Sequence, residues 1–115
     1  MALHTIRLRE PWDRQADAQG GLQLRRGFRA PTGIGGGQRV FVAARSLAAP
    51  AVVFLNGGPL GRMDEEGKVY RWEITALLRD RNEVRLAVDA PLASGLDGGR
   101  ELLVRLEIEE DASQS

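Results

Sequence analysis

The sequence of 115 residues contains no cysteine, one histidine and few aromatic residues: two tryptophans, one tyrosine and three phenylalanines. Without cysteine there is no disulfide framework, no thiolate metal site and no thiol nucleophile. The lone histidine, His4, has no partner at metal-ligand spacing, and no serine–histidine–acid constellation is visible. An excess of one charge is missing too. Sixteen basic residues are matched by sixteen acidic ones, so no global field draws the chain toward nucleic acid or a membrane. No apolar run approaches the roughly 20 residues of a membrane span. The N-terminus, MALHTIRLRE, mixes charge into its apolar residues and lacks the continuous core of a signal peptide. The resulting expectation is a cytoplasmic chain with no cofactor, no bound metal, no nucleic-acid partner and no membrane.

What the sequence does have is glycine, fourteen of them, and short alternating apolar runs. The length suits one domain with a single core, read as residues 1–110 followed by a polar, frayed tail over 111–115. The stretch VVFLNGGPLG, residues 52–61, is the clearest local signal. A two-residue hairpin turn needs positive φ at its centre, which Asn and Gly tolerate and β-branched residues do not. Val52–Leu55 is therefore a strand, Asn56-Gly57 the turn, and Pro59–Arg62 a short return. Pro59 has no N–H, which places that return on a sheet edge.

Strands are predicted along most of the remaining chain. HTIRLR alternates, with Ile6 and Leu8 on one face and Arg7 and Arg9 on the other. A polar loop over 10–21 leads to LQLRRGF, where Leu22, Leu24 and Phe28 share a parity. RVFVAA, AVVFL, KVYRWEI, EVRLAVD and ELLVRLEIE follow at short intervals, separated by turn-rich segments such as PTGIGGG. Tyr70, Trp72 and Ile74 alternate, as do Val84, Leu86 and Val88, and Leu102, Val104, Leu106 and Ile108. Only ITALLRDR reads as helix, a single turn with Thr75 as cap and Asn82 ending it. Many short strands with Gly- and Pro-rich turns predict an all-β fold, either an antiparallel two-sheet sandwich or a closed barrel.

The order of these pieces resembles a known family. Trp12 precedes a strand ending Arg-Arg-Gly-Phe-Arg-Ala-Pro, then come Arg-Val-Phe-Val, Val-Phe-Leu-Asn-Gly and Leu60-Gly61. An aromatic strand running into Ile-Thr-Ala-Leu-Leu and the segment Asn-Glu-Val-Arg-Leu-Ala-Val complete the series. Over residues 12–88 this is similar to the N-terminal sugar-binding domain of the β-galactosidase and β-glucuronidase family, glycoside hydrolase family two. The resemblance implies a jelly roll of the galactose-binding-like fold. It also implies that catalytic carboxylates belong to a separate barrel, of which this chain has no counterpart. The family's asparagine-containing substrate segment and its Trp-x-Gly-Ile-x-Arg signature are missing, so no sugar-contact residue carries over.

In an antiparallel sandwich, successive loops fall at alternate ends. One end collects residues 10–21, 46–50, 63–67 and 89–99, bringing Trp12 together with Asp64, Glu65 and Glu66. An indole beside carboxylates suits a sugar, because hydroxyls donate to the oxygens and a ring face stacks on Trp. Trp12, Asp64, Glu65 and Glu66 are accordingly the candidate ligand-binding residues, and the same oxygen-rich loops also suit calcium. The competing reading has Trp12 packed into the sandwich and the acids merely solvated. Glycoside hydrolysis needs two carboxyl groups roughly 5–10 Å apart across a cleft, and no such raised-pKa acid and base are evident. Arginines 7, 9, 25, 29 and 39 alternate outward as a basic stripe, without the aromatic interleaving of a nucleic-acid surface.

The function expected is a non-catalytic module with weak carbohydrate binding at the loop end. The alternative is an accessory or assembly domain contacting a protein partner or itself through a sheet face or edge. Exposure of Trp12 separates the two: a solvent-facing ring beside carboxylates favours sugar, and a buried ring with an apolar patch on a sheet face favours a partner.

Overall fold

The computed structural model describes residues 2–8, 12–16, 21–31, 37–45, 50–65, 67–88 and 104–110. Among these residues, nine strands form two antiparallel sheets. They are β1 (Ala2–Arg7), β2 (Asp13–Ala16), β3 (Leu22–Arg29), β4 (Gln38–Arg45), β5 (Ala51–Leu55), β6 (Gly58–Met63), β7 (Val69–Glu73), β8 (Arg81–Val88) and β9 (Val104–Glu110). The four-stranded sheet has the order β1-β9-β4-β7 and the five-stranded sheet β2-β3-β8-β5-β6. Apart from the consecutive pairs β2-β3 and β5-β6, neighbours in these orders are distant in sequence, as in a jelly roll.

The alternation read from the sequence sets which face is buried. Val40, Val42 and Ala44 of β4, Val104, Leu106 and Ile108 of β9, and Val84, Leu86 and Val88 of β8 all lie in one core. Leu24, Ala51, Val53, Leu55 and Met63, from the same five-stranded sheet as β8, complete it. Tyr70 and Trp72, stacked with centroids 6.0 Å apart, pack against this core from β7, while Ile74 beyond them is fully buried. Apolar area removed from water on this scale, at roughly 25 cal/mol per Å², is the main stabilising term.

Asn56 and Gly57 take φ values of 51° and 87°, the positive pair that a type I′ turn demands. The return strand β6 is an edge strand, as Pro59 requires. Its register slips opposite Val53 and Phe54, which pair with Gly61 and Pro59, so Leu60 is an extra residue. That bulge turns Leu60 toward the core, against which it packs.

Two expectations need correction. The polar loop over 10–21 contains β2, paired with β3 from Asp13↔Arg25 to Ala16↔Leu22. All four β2 residues are exposed, so the segment has no apolar alternation; its main chain extends the ladder of β3 instead. ITALLRDR is no α-helix but a single 3₁₀ turn over Thr75–Leu77, and no side chain caps it. The Thr75 hydroxyl accepts from Val40 N at 2.9 Å and so serves β4 rather than its own turn. Asn82 likewise terminates nothing; it is a buried residue of β8. Glu101–Leu103, the PTGIGGG connection beyond Pro31 and before Gly37, and the tail over 111–115 lie outside the described residues. No helix among the described residues is long and apolar enough to cross a membrane.

Candidate functional site

The antiparallel ladders place the described loops at the ends the sequence assigns. Asp64 and Glu65 sit beyond Met63, at the same end as Arg45, Val88 and Val104, while the Asn56-Gly57 turn and the 3₁₀ turn lie at the other. Three candidate residues are described; Glu66 lies outside them.

Trp12 does not join the acids. It is 4% exposed, belongs to the core cluster, and its indole N–H donates to the Leu8 carbonyl at 3.0 Å within the interior. Leu8 N in turn donates to Val104 O, so Trp12 fastens the crossing from β1 to the outermost strand of the second sheet. A ring in that position has no face to offer a sugar. The expected stacking role of Trp12 is therefore withdrawn, because its apolar area is already buried and its one donor already used.

The acidic loop has a different aromatic beneath it. The Tyr70 hydroxyl accepts from both Asp64 N and Glu65 N at 3.2 Å, holding the loop over the end of β7. Asp64 Oδ1 accepts from Arg62 Nε at 2.5 Å, and Glu65 lies 3.8 Å from Lys68 Nζ. The Lys68 ammonium stands 5.1 Å from the centre of the Tyr70 ring. Tyr70 is the residue that the sequence reading missed. Its alternation with Trp72 and Ile74 correctly marks it as inward-facing, but nothing local shows that its hydroxyl reaches a loop five residues back.

His4 is exposed on β1 with its Nε2 3.6 Å from a Glu110 carboxylate oxygen. Among the described residues no three His, Asp or Glu side chains converge as a metal site would need.

The strongest electrostatic cluster lies elsewhere, on the outer face of the four-stranded sheet. Arg71 donates to Glu107 at 2.6 Å and pairs with Glu109, and Arg105 donates to the second Glu107 oxygen at 2.7 Å. The Arg71 guanidinium lies 3.6 Å from the centre of the Phe41 ring, which it covers. Burial alone would raise the Glu107 carboxyl, but hydrogen bonds and charge from Arg105 and Arg71 outweigh it and hold the group below the ordinary glutamate range.

The fold and these surfaces define a class: a jelly-roll β-sandwich of the kind found in glycosidases. No family model and no curated protein matches the sequence. Solved structures do match. An FMN-binding β-glucuronidase from Facaelibacterium prausnitzii L2-6 superimposes with a TM-score of 0.73 at 20% identity, over 94% of this chain and 23% of that one. The β-glucuronidase of Bifidobacterium dentium gives 0.75 at 14% identity, over 94% and 30%. A putative β-galactosidase from Bacteroides fragilis gives 0.58 at 27% identity, over 80% and 15%. The chain thus spans less than a third of each of these proteins and has the fold of one of their domains, the fold that the sequence resemblance implies.

Proposed function

We propose that the chain is a non-catalytic accessory module that contacts protein through the open edge of its four-stranded sheet. The observation that carries this reading is the contrast between a buried Trp12 and an apolar edge. Leu3 and Ile6 of β1 are 55% and 43% exposed and alternate to opposite faces of a strand whose described ladder is with β9 alone. An edge strand with apolar residues on both faces is a template for pairing with another chain or domain. The small share of each glycosidase that the chain matches supports an accessory role, as does the engagement of Asp64 and Glu65 by Arg62 and Lys68.

Self-association is the form of this contact that the chain alone can report. Size exclusion with light scattering is expected to show mass above the monomer at high concentration. The double variant Leu3→Lys/Ile6→Lys should return it to monomer without loss of folding. A strict monomer across the concentration range would sink self-association.

A second reading is weak carbohydrate contact at the acidic loop, with the half-buried Tyr70–Trp72 stack taking the place first expected of Trp12. It predicts binding of a neutral glycan that Asp64→Asn removes. Absence of any neutral ligand on a glycan array would end it.

A further inference from the structure

The outer face of the five-stranded sheet carries charges in an arrangement the fold does not need. Residues directly opposite across β3 and β8 share a face, and there Arg25 stands opposite Arg85 and Arg29 opposite Arg81. Their Cβ atoms are held roughly 4.5–5.5 Å apart, and like charges so placed destabilise a ladder. Among the described residues, no carboxylate lies within ion-pair distance of any of the four. Arg85 is positioned by other means: its Nη1 donates to Gln23 Oε1 at 2.8 Å, and its guanidinium lies 3.9 Å from the Phe54 ring centre. Among the described strand residues, the acidic groups on this face are Asp13, opposite Arg25 on β2, and Glu83, opposite Gly27; Arg62 on β6 is already paired with Asp64. On the other outer face the same residue type is neutralised, with Arg39, Arg71 and Arg105 paired to Glu73, Glu107 and Glu109.

We propose that the outer face of β3 and β8 is a docking surface for a linear anionic polysaccharide, whose carboxylate or sulfate groups bridge the Arg25–Arg85 and Arg29–Arg81 pairs. An anion set between two guanidiniums converts their repulsion into forked, charge-assisted hydrogen bonds. The two pairs lie four residues apart along β3, about 13–14 Å at strand rise, so one extended polymer with repeating charges reaches both. The middle of a sheet face presents side chains only. An extended acidic peptide, which binds through main-chain groups at an edge, gains no ladder there. Bases of a single-stranded nucleic acid need an open aromatic face, and Phe54 is covered by Arg85. This surface is separate from the β1 edge and does not depend on the partner contact proposed there.

The test measures binding of the full chain to heparin and to a polyuronate at low and at physiological salt. Wild type should bind both, more weakly as salt rises. Arg25→Gln/Arg29→Gln should bind about tenfold more weakly or worse, having lost two charge-assisted carboxylate or sulfate contacts. Relief of like-charge repulsion should leave the thermal midpoint of this variant equal or higher, so lost binding is not lost folding. Arg39→Gln, on the opposite face, should bind as wild type, and so should the Leu3→Lys/Ile6→Lys variant. No binding by wild type, equal binding by the arginine variant, or tighter binding to single-stranded DNA or polyglutamate would overturn the proposal.

Discussion

Asn56 shows how one side chain does more than its local conformation asks. Its positive φ satisfies the turn, yet its Oδ1 also accepts from Glu83 N at 2.9 Å, while its own N–H donates to Glu83 O at 2.9 Å. The residue thus continues the β5–β8 ladder past its last regular pair. Its Nδ2 reaches Asn82 Oδ1 at 3.0 Å, and that buried amide also bonds Arg79 N and Arg79 O. Glycine at position 56 would keep the turn and the main-chain bond to Glu83 O, but lose the two side-chain bonds, to Glu83 N and to Asn82 Oδ1. Asn56→Gly is therefore expected to destabilise the fold by about 1–2 kcal/mol, since partners are left unsatisfied. Urea unfolding checks this, and a neutral result would mean that the turn conformation alone matters. From sequence, Asn56 was legible as a turn residue, but its bond to Asn82 spans 26 positions and leaves no local trace.

At the scale of elements, the seam between β6 and β7 combines a β-bulge with a close approach of ring and glycine. Both are edge strands, in different sheets, joined by the acidic loop. Trp72 closes the seam by lying over Gly61, where an added Cβ would stand 2.6 Å from the indole Nε1 and 3.0 Å from Cε2. Gly61→Ala must push the ring aside, at a cost of roughly 1–3 kcal/mol. The expected result is a lower unfolding midpoint together with altered Trp72 fluorescence, read in a Trp12→Phe background. Strands with apolar and polar residues in alternation, such as β8 and β9, were legible because one buried face imposes period two. β2 was not, because an all-polar edge strand is held by main-chain bonds that any sequence can make. The 3₁₀ turn after β7 was overread for a related reason: Thr75-Ala-Leu-Leu suits a helix, but the chain must enter β8 at once.

For the whole molecule, zero net charge conceals an uneven distribution between the two outer faces. On the four-stranded sheet, Glu107 is buried between Arg71 and Arg105, each of whose side chains is 37% exposed. Because its folded-state pKa lies below the ordinary value of 4.5, Glu107 adds stability that is complete above pH 4.5 and is lost as pH falls through the lower folded value. Glu107→Gln should therefore cost about 1–2 kcal/mol at neutral pH, less than a fully buried pair because both arginines are partly screened. The gap to wild type should close as pH drops below 4.5. Urea titrations at neutral and acid pH test the sign, and a constant gap would show that packing, not charge, is responsible.

Alternating apolar residues and the Asn-Gly turn by themselves determined that the chain is built of short strands joined by tight turns, since a period of two leaves one face to bury and positive φ restricts the turn to a few residues. The same information placed Asp64 and Glu65 at a loop end. Only the tertiary structure decided that Trp12 lies inside, that Tyr70 supports the acidic loop, and that arginines oppose arginines on one face while meeting glutamates on the other. Those relations depend on which strands become neighbours. Strand order follows from how the two sheets close over a shared core, a contest among long-range pairings that no short stretch of sequence records.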